Sequence, residues 1–336
     1  MSKKIKIAIN GFGRIGRHAF KVAMTKKNLE VVAINDLTDT KTLAHLLKYD
    51  TAYSKTNLKI SFDEKNLIVN GKKIPCFAMR DPKELPWKKM SVEVVIECTG
   101  VFLTKELAGL HLQAGAKKVV LSAPAKGDDI TTYVRGLNCE SYKKNKETII
   151  DNASCTTNCA APVMKVLESD FGVEKAMLTT IHSYTADQNL QDGPHKDLRR
   201  ARAACQNIVP TSTGAAKATT KVVPELQNKF DGLAIRVPTI TGSLTDFTVL
   251  LKKSVTKEEV NKALIKASKT YLKGILTTTE EPIVSSDVIG NVYSSIVDLE
   301  LTNVVGGNLV KVISWYDNEW GYANRLVEMV EIVGKN

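Results

Sequence analysis

Residues 5–16 read I-K-I-A-I-N-G-F-G-R-I-G, and they carry two signals in succession. Ile5 to Ile9 is rich in β-branched residues and stops at Asn10-Gly11, as a strand ending in a turn does. Gly11-Phe12-Gly13-Arg14-Ile15-Gly16 then fits the G-x-G-x-x-G spacing. From Arg14 to Thr25 apolar residues fall at Ile15, Ala19, Val22 and Ala23, a helical period. Glu30 to Ile34 (E-V-V-A-I) is a second strand, and it runs into Asn35-Asp36. A strand, a glycine turn, a helix, a second strand and then an acid about twenty residues on is the dinucleotide-binding fingerprint. Gly11 permits the tight turn, Gly13 lets backbone amides approach a pyrophosphate, and Gly16 lets helix and strand pack closely. Asp36 suits ribose hydroxyls and would repel a 2′-phosphate, so the pattern favours NAD over NADP.

Working outward, Val92–Glu97 and Lys118–Ser122 read as further strands, with a helix at Thr104–Ala114 between them. Alternating strands and helices imply a parallel sheet covered on both faces. Near residue 150 the texture changes. A helix is expected over Thr157–Ser169, a strand over Ala176–Ser183, and strand-like runs at 232–237, 243–252 and 309–316. Helices are expected at 257–271 and Glu319–Val333, and residues 184–210 form a long polar, basic loop. The expected architecture is therefore an α/β dinucleotide-binding domain followed by an α+β domain with a largely antiparallel sheet.

N-A-S-C-T-T-N-C, residues 152–159, places two cysteines four apart. Cys155 sits at the start of the expected helix, where the macrodipole and aligned amides favour a thiolate and can stabilise an oxyanion. Cys159, one turn deeper among alanines, reads as a small buried residue. His182 closes the strand at 176–183 and is the candidate base. An NAD fold with a cysteine nucleophile suggests aldehyde oxidation through a thioester.

The rest of the composition narrows the alternatives. The 336 residues allow two domains. Six scattered cysteines in such a chain argue for free thiols in a reducing cytosol. None of the five histidines lies close in sequence to the cysteine pair, so no metal site is expected. No apolar run approaches the roughly 18 residues of a membrane span, and no signal-peptide core is present. The net charge of +11 comes from dispersed lysine pairs without a nucleic-acid motif, so nucleic-acid binding enters only as a secondary role.

Further segments follow in order: A-S-C-T-T-N-C (153–159), H-S-Y-T-A-D-Q (182–188), D-L-R-R-A-R (197–202), S-T-G-A-A-K (212–217), R-V-P-T (236–239) and W-Y-D-N-E-W-G-Y (315–322). With I-N-G-F-G-R-I-G-R (9–17) they make the whole chain resemble the phosphorylating glyceraldehyde-3-phosphate dehydrogenases of bacterial type. The resemblance implies a Rossmann NAD-binding domain at 1–153, joined by a C-terminal helix at 319–336, and a catalytic domain at 154–318. It implies a cytoplasmic homotetramer that oxidises D-glyceraldehyde 3-phosphate with inorganic phosphate to 1,3-bisphosphoglycerate. Cys155 matches the nucleophile and His182 the base. Arg14, Ile15, Asp36, Arg80, Ser122 and Asn318 match NAD contacts. Thr185, Asp187 and Arg236 match the pocket for the substrate's phosphate. Ser154, Thr156, Thr213 and Gly214 match the pocket for the attacking phosphate, with Arg200 joining them and Arg199 competing for that place. Asp151 departs from the family's small neutral residue and is expected to face away from any bound anion. Gly193, in the long loop, replaces a larger residue.

Overall fold

The structure, a computed structural model, describes residues 4–335. The chain divides into two units: 1–133 with 141–153 and 323–336, and 134–140 with 154–322.

The first unit contains β1 (Ile5–Asn10), α1 (Arg14–Ala23), β2 (Leu29–Asn35), α2 (Thr40–Lys48), β3 (Ile60–Phe62), β4 (Asn66–Val69), β5 (Lys72–Phe77), β6 (Val94–Glu97), α3 (Lys105–Gln113), β7 (Lys118–Leu121), β8 (Thr131–Thr132) and β9 (Ile149–Asp151). They form one sheet in the order β3-β4-β5-β2-β1-β6-β7-β9-β8. Its centre is parallel: β1 pairs with β2 on one side and β6 on the other, and β6 continues to β7. The reason is in the side chains. Ile7, Ile9, Val94, Ile96, Val119 and Val120 are all fully buried, so these strands hide both faces. The antiparallel β3-β4-β5 excursion after α2 was not legible as strands, because its strands are short and mostly half-exposed or exposed.

The second unit contains α4 (Cys155–Phe171), β10 (Val173–Ser183), β11 (Val209–Ser212), α5 (Ala215–Val222), β12 (Phe230–Val237), β13 (Ser243–Leu251), α6 (Lys257–Lys269), β14 (Leu276–Thr279), β15 (Ser295–Val305) and β16 (Leu309–Tyr316). The sheet runs β11-β12-β10-β13-β16-β15-β14, antiparallel except where β10 meets β12 and β14 meets β15. Here burial alternates strictly along β13, the signature of a sheet with one face packed and one solvated. Phe247, Val249 and Leu251 point inward, and each such side chain contributes roughly 1.5–3 kcal/mol by burial. α4 is buried almost throughout, from Thr156 to Met164. It begins two residues earlier than expected, because Ser154 caps it and Cys155 is its first residue.

A last helix, α7 (Trp320–Gly334), ends in the first unit. There Gly334 abuts Ile5 so closely that a Cβ would lie 2.6 Å from its Cγ2, and Glu331 pairs with Lys26 at 3.3 Å. Among the described residues no helix is long and apolar enough to cross a membrane.

Candidate active site

In the first unit the chain turns sharply between β1 and α1. Gly11 has φ +88°, and a Cβ there would sit 2.8 Å from the backbone of Cys98 and Thr99. At Gly16 a Cβ would lie 2.1 Å from the Gly11 carbonyl oxygen, so only glycine lets the helix cross its own turn. Gly13 is the N-cap of α1. It has no side chain to cap the helix, no acid follows in the first turn, and nothing lies within 4 Å of where its Cβ would be. That leaves an open helix N-terminus, the usual seat of a phosphate. Asp36 braces the turn: its carboxylate accepts the amide of Phe12 at 2.7 Å and of Thr38 at 3.0 Å.

A cavity of about 440 Å³ opens at the carboxyl ends of β1, β2 and β6. Gly11, Gly13, Asp36 and Arg80 line it, together with Asn10, Asn35, Leu37, Met79, Cys98, Thr99, Val101 and Phe102. Larger hollows lie at Lys48–Gly71 and Lys175–Leu309. Neither gathers strand ends beside a glycine turn, the position at which open α/β sheets hold their ligands. Of the other residues expected to meet NAD, Arg14 turns its guanidinium to Asp50 at 2.7 Å and lies over Tyr53. Ile15, Gly16 and Ser122 are not on the cavity wall, although the Ser122 amide is held by the Glu97 carbonyl. Asn318 belongs to the second unit, where its side-chain oxygen accepts from Gly242 N at 3.1 Å and Ser243 Oγ at 2.9 Å.

In the second unit, Ser154 caps α4 by accepting the Thr157 amide at 3.1 Å. Cys155 follows, and its Sγ lies 3.4 Å from His182 Nε2 at the end of β10. His182 Nδ1 is 2.7 Å from the Ser183 carbonyl, which can only accept. This is the shorter of the two Nδ1 contacts, so the proton sits on Nδ1, Arg236 gives its own to the carbonyl, and the Nε2 lone pair faces the sulfur. Arg236 donates to the same carbonyl at 3.0 Å and to Thr185 Oγ1 at 3.3 Å. Its guanidinium stands 3.1 Å from His182 Nδ1.

At this thiol burial opposes the helix terminus. Cys155 is half-buried. Burial raises its pKa above the ordinary thiol value, outweighing Arg236 and the Thr156 contacts that pull it down. Burial, then Arg236, drives His182 down to about 3. Burial thus pulls both members of the pair toward their neutral forms. Cys159 is fully buried against Ser295 and Ser314, its thiol pushed up to about 11 by burial.

The other expected anion-binding residues fall in two places. Arg200 donates to Thr211 Oγ1 at 2.9 Å and to the Ser212 carbonyl at 3.1 Å, and it pairs with Asp187. Arg199 is exposed. Thr213 and Gly214 lead into the N-terminus of α5, which has no side-chain cap. Thr156 is turned inward, its hydroxyl 2.9 Å from Tyr316 Oη, which also meets Thr180 at 2.9 Å. Asp151 is 1% exposed, and its oxygens accept from Ala125 N, Thr132 Oγ1 and Ala153 N, all in the first unit. Ala153 adopts φ +55°, a left-handed conformation that costs an alanine roughly 1–2 kcal/mol. The Asp151 carboxylate supports it.

Two family descriptions match the chain: the glyceraldehyde 3-phosphate dehydrogenase NAD-binding domain over residues 5–105 and the C-terminal domain over 154–318. The chain belongs to the glyceraldehyde-3-phosphate dehydrogenase family. Curated relatives agree. A Thermotoga maritima glyceraldehyde-3-phosphate dehydrogenase is 59% identical over 332 residues, covering 98% of this chain and 99% of its own. One from Priestia megaterium is 55% identical over 329 residues, with 98% of each chain covered. One from Bacillus cereus is 56% identical over 324 residues, with 96% and 97% covered.

To the expected Gly11, Gly13, Asp36 and Arg80 the cavity wall adds Asn10, Asn35, Thr99 and Phe102, which the sequence motifs did not mark. Their signal was available. They stand at or just beyond the carboxyl ends of the strands, where open α/β sheets hold their ligands.

Proposed function

We propose that this chain catalyses the NAD-dependent oxidative phosphorylation of D-glyceraldehyde 3-phosphate to 1,3-bisphosphoglycerate. The observation that carries the reading is the 3.4 Å approach of Cys155 Sγ to the unprotonated Nε2 of His182 at the start of α4. The family's NAD-binding domain lies in the same chain. The glycine turn, the uncapped helix terminus and Asp36 fit a dinucleotide, so Gly11, Gly13 and Gly16 would cradle its pyrophosphate and Asp36 its ribose. NAD, when bound, supplies the hydride acceptor.

The chain's residues do the rest. His182 Nε2 takes the proton from Cys155 Sγ, and the sulfur adds to the aldehyde carbon to give a thiohemiacetal. When hydride leaves that carbon for the bound cofactor and the hydroxyl proton passes to His182 Nε2, a thioester remains on Cys155. Inorganic phosphate then attacks the thioester carbon. The C–S bond breaks, the acyl phosphate leaves, and the sulfur recovers its proton from His182. Amides at the α4 terminus are placed to support the oxyanion in both additions. Arg236 and Thr185 support a site for the substrate's phosphate, since a guanidinium and a hydroxyl suit that anion. Asp187 reaches the same region through Arg200. Ser154, Thr213 and Gly214, with Arg200 rather than Arg199, are assigned to the attacking phosphate. Thr156 reaches it through its backbone. We assign Asn318 to the nicotinamide end, on the resemblance alone. Homotetramer formation in the cytoplasm completes the reading; Leu190, Leu198 and Ile208, large and exposed in one loop, support the assembly.

The test is NADH formation from the purified protein with D-glyceraldehyde 3-phosphate, NAD and phosphate. Omission of phosphate should stop turnover after the first equivalent, and NADP should replace NAD poorly. Sustained turnover without phosphate would sink the proposal.

A further inference from the structure

Beneath the first unit's cavity lies a buried acid that the reaction does not use. Glu97, at the end of β6, and His111, on α3, are both fully buried. Four donors meet the two carboxylate oxygens of Glu97. Asn10 Nδ2 lies at 2.5 Å and His111 Nε2 at 3.0 Å from one; Thr99 N, at 2.7 Å, and Thr99 Oγ1 meet the other. The histidine's tautomer is forced, because the indole N–H of Trp87 can only donate and it points at His111 Nδ1 from 3.1 Å. His111 therefore donates through Nε2, and Glu97 is acceptor on every side.

That polarity propagates. Asn10 must turn its amide nitrogen to Glu97, so its oxygen faces Asn35 and accepts from Asn35 Nδ2 at 2.7 Å. Asn35 is thereby fixed in turn. Its nitrogen donates to the Met79 carbonyl and its oxygen accepts the Met79 amide, both at 2.9 Å. Met79 and its neighbour Arg80 form one side of the cavity, and Thr99 forms another. Two asparagines, each able to face either way, are locked in series by one carboxylate.

Resting on the reading of this cavity as the NAD site, we propose that Glu97 is a positioning residue for the cofactor, fixing both cavity walls through Asn10–Asn35–Met79 on one side and Thr99 on the other. A glutamine at 97 keeps the shape but reverses the polarity: its NH₂ faces the donors of Asn10 and His111, and the relay must break or flip. Moving the acid one step along, in the double variant Glu97→Gln/Asn10→Asp, gives the new amide at position 97 an acceptor at residue 10 and still offers Asn35 one.

The experiment titrates NAD onto the full-length protein by calorimetry and measures KM for NAD and for the aldehyde. The rate at which iodoacetamide alkylates Cys155, in the other unit, serves as control. Glu97→Gln should raise the NAD Kd and KM roughly tenfold or more, the cost of stranding buried donors. The aldehyde KM and the alkylation rate should hold, and the double variant should recover most of the NAD affinity. Unchanged NAD affinity in Glu97→Gln overturns the inference, as does a folded double variant that binds NAD no better than the single one. If Glu97→Gln does not fold, the double variant decides alone by whether its NAD affinity approaches the parent's. A parent protein that binds no NAD would instead defeat the cofactor reading.

Discussion

Two helix N-termini stand at the proposed cofactor and catalytic sites, and they are finished in opposite ways. α1 starts at a bare glycine, with no capping side chain and open space above it. α4 starts at Ser154, whose hydroxyl takes the Thr157 amide, and it sets a thiol at its first position. The open terminus leaves its amides for a ligand's phosphate. The capped terminus is built to hold one side chain still against His182. The open end offers its amides to a ligand, and the capped one in addition holds a side chain in place.

The sharpest way to break this comparison is Cys155→Ser. If the capped terminus is a mount for a sulfur nucleophile, the oxygen should fail, and kcat should fall on the order of 10⁴-fold or more while NAD affinity in the first unit is kept. Full activity in that variant would remove the thiol from the mechanism. At the other terminus, Gly13→Ser should close what is open. The backbone there (φ −70°) admits a side chain, so the protein should fold and gain a few tenths of a kcal/mol from the new cap. NAD affinity should fall about tenfold, the loss of one charge-assisted contact; unchanged affinity would show that α1's terminus is not where the cofactor sits. A smaller effect is expected from Ser154→Ala, which removes the cap of α4. Stability should drop by about 1 kcal/mol, read as a lowered denaturation midpoint, and the Cys155 alkylation rate should change because the thiol is less firmly held.

The pH dependence sharpens the same contrast. Only the thiolate reacts with iodoacetamide, so the rate rises as pH passes the thiol's pKa. Because burial raises that pKa, the inflection for Cys155 in the ligand-free protein should lie above the ordinary thiol range of about 8.5. Arg236 pulls in the other direction, so Arg236→Leu should move the inflection higher still. An inflection below the ordinary range would mean that the helix terminus outweighs burial after all.

Much of the first unit was legible because its information is local. A glycine turn, a buried β-branched run and an acid at a set distance are all written within about thirty residues, and each element formed where its pattern stood. β15 and the β3–β5 excursion were harder. Their burial is partial, and neither alternation nor a continuous apolar run marks them cleanly.

The proposed catalytic pair shows the same division at the level of atoms. The sequence by itself named Cys155 and His182, since their residue types and their places at a helix start and a strand end are local facts. It also named the dinucleotide fold, since that fold's turn requires glycine at set positions. What it could not determine was the burial of the pair. Helix-terminus reasoning counted the amides and the dipole near Cys155, but the desolvation that opposes them is set by what packs around both groups. Asp151 resolved in the same way: its neighbourhood suggested a conflict with an anion, and only the fold placed Ala125, Thr132 and Ala153 around it. Residue identity and spacing travel along the chain. Burial, tautomer and hydrogen-bond polarity are set by whatever packs around a group, so they wait for tertiary structure.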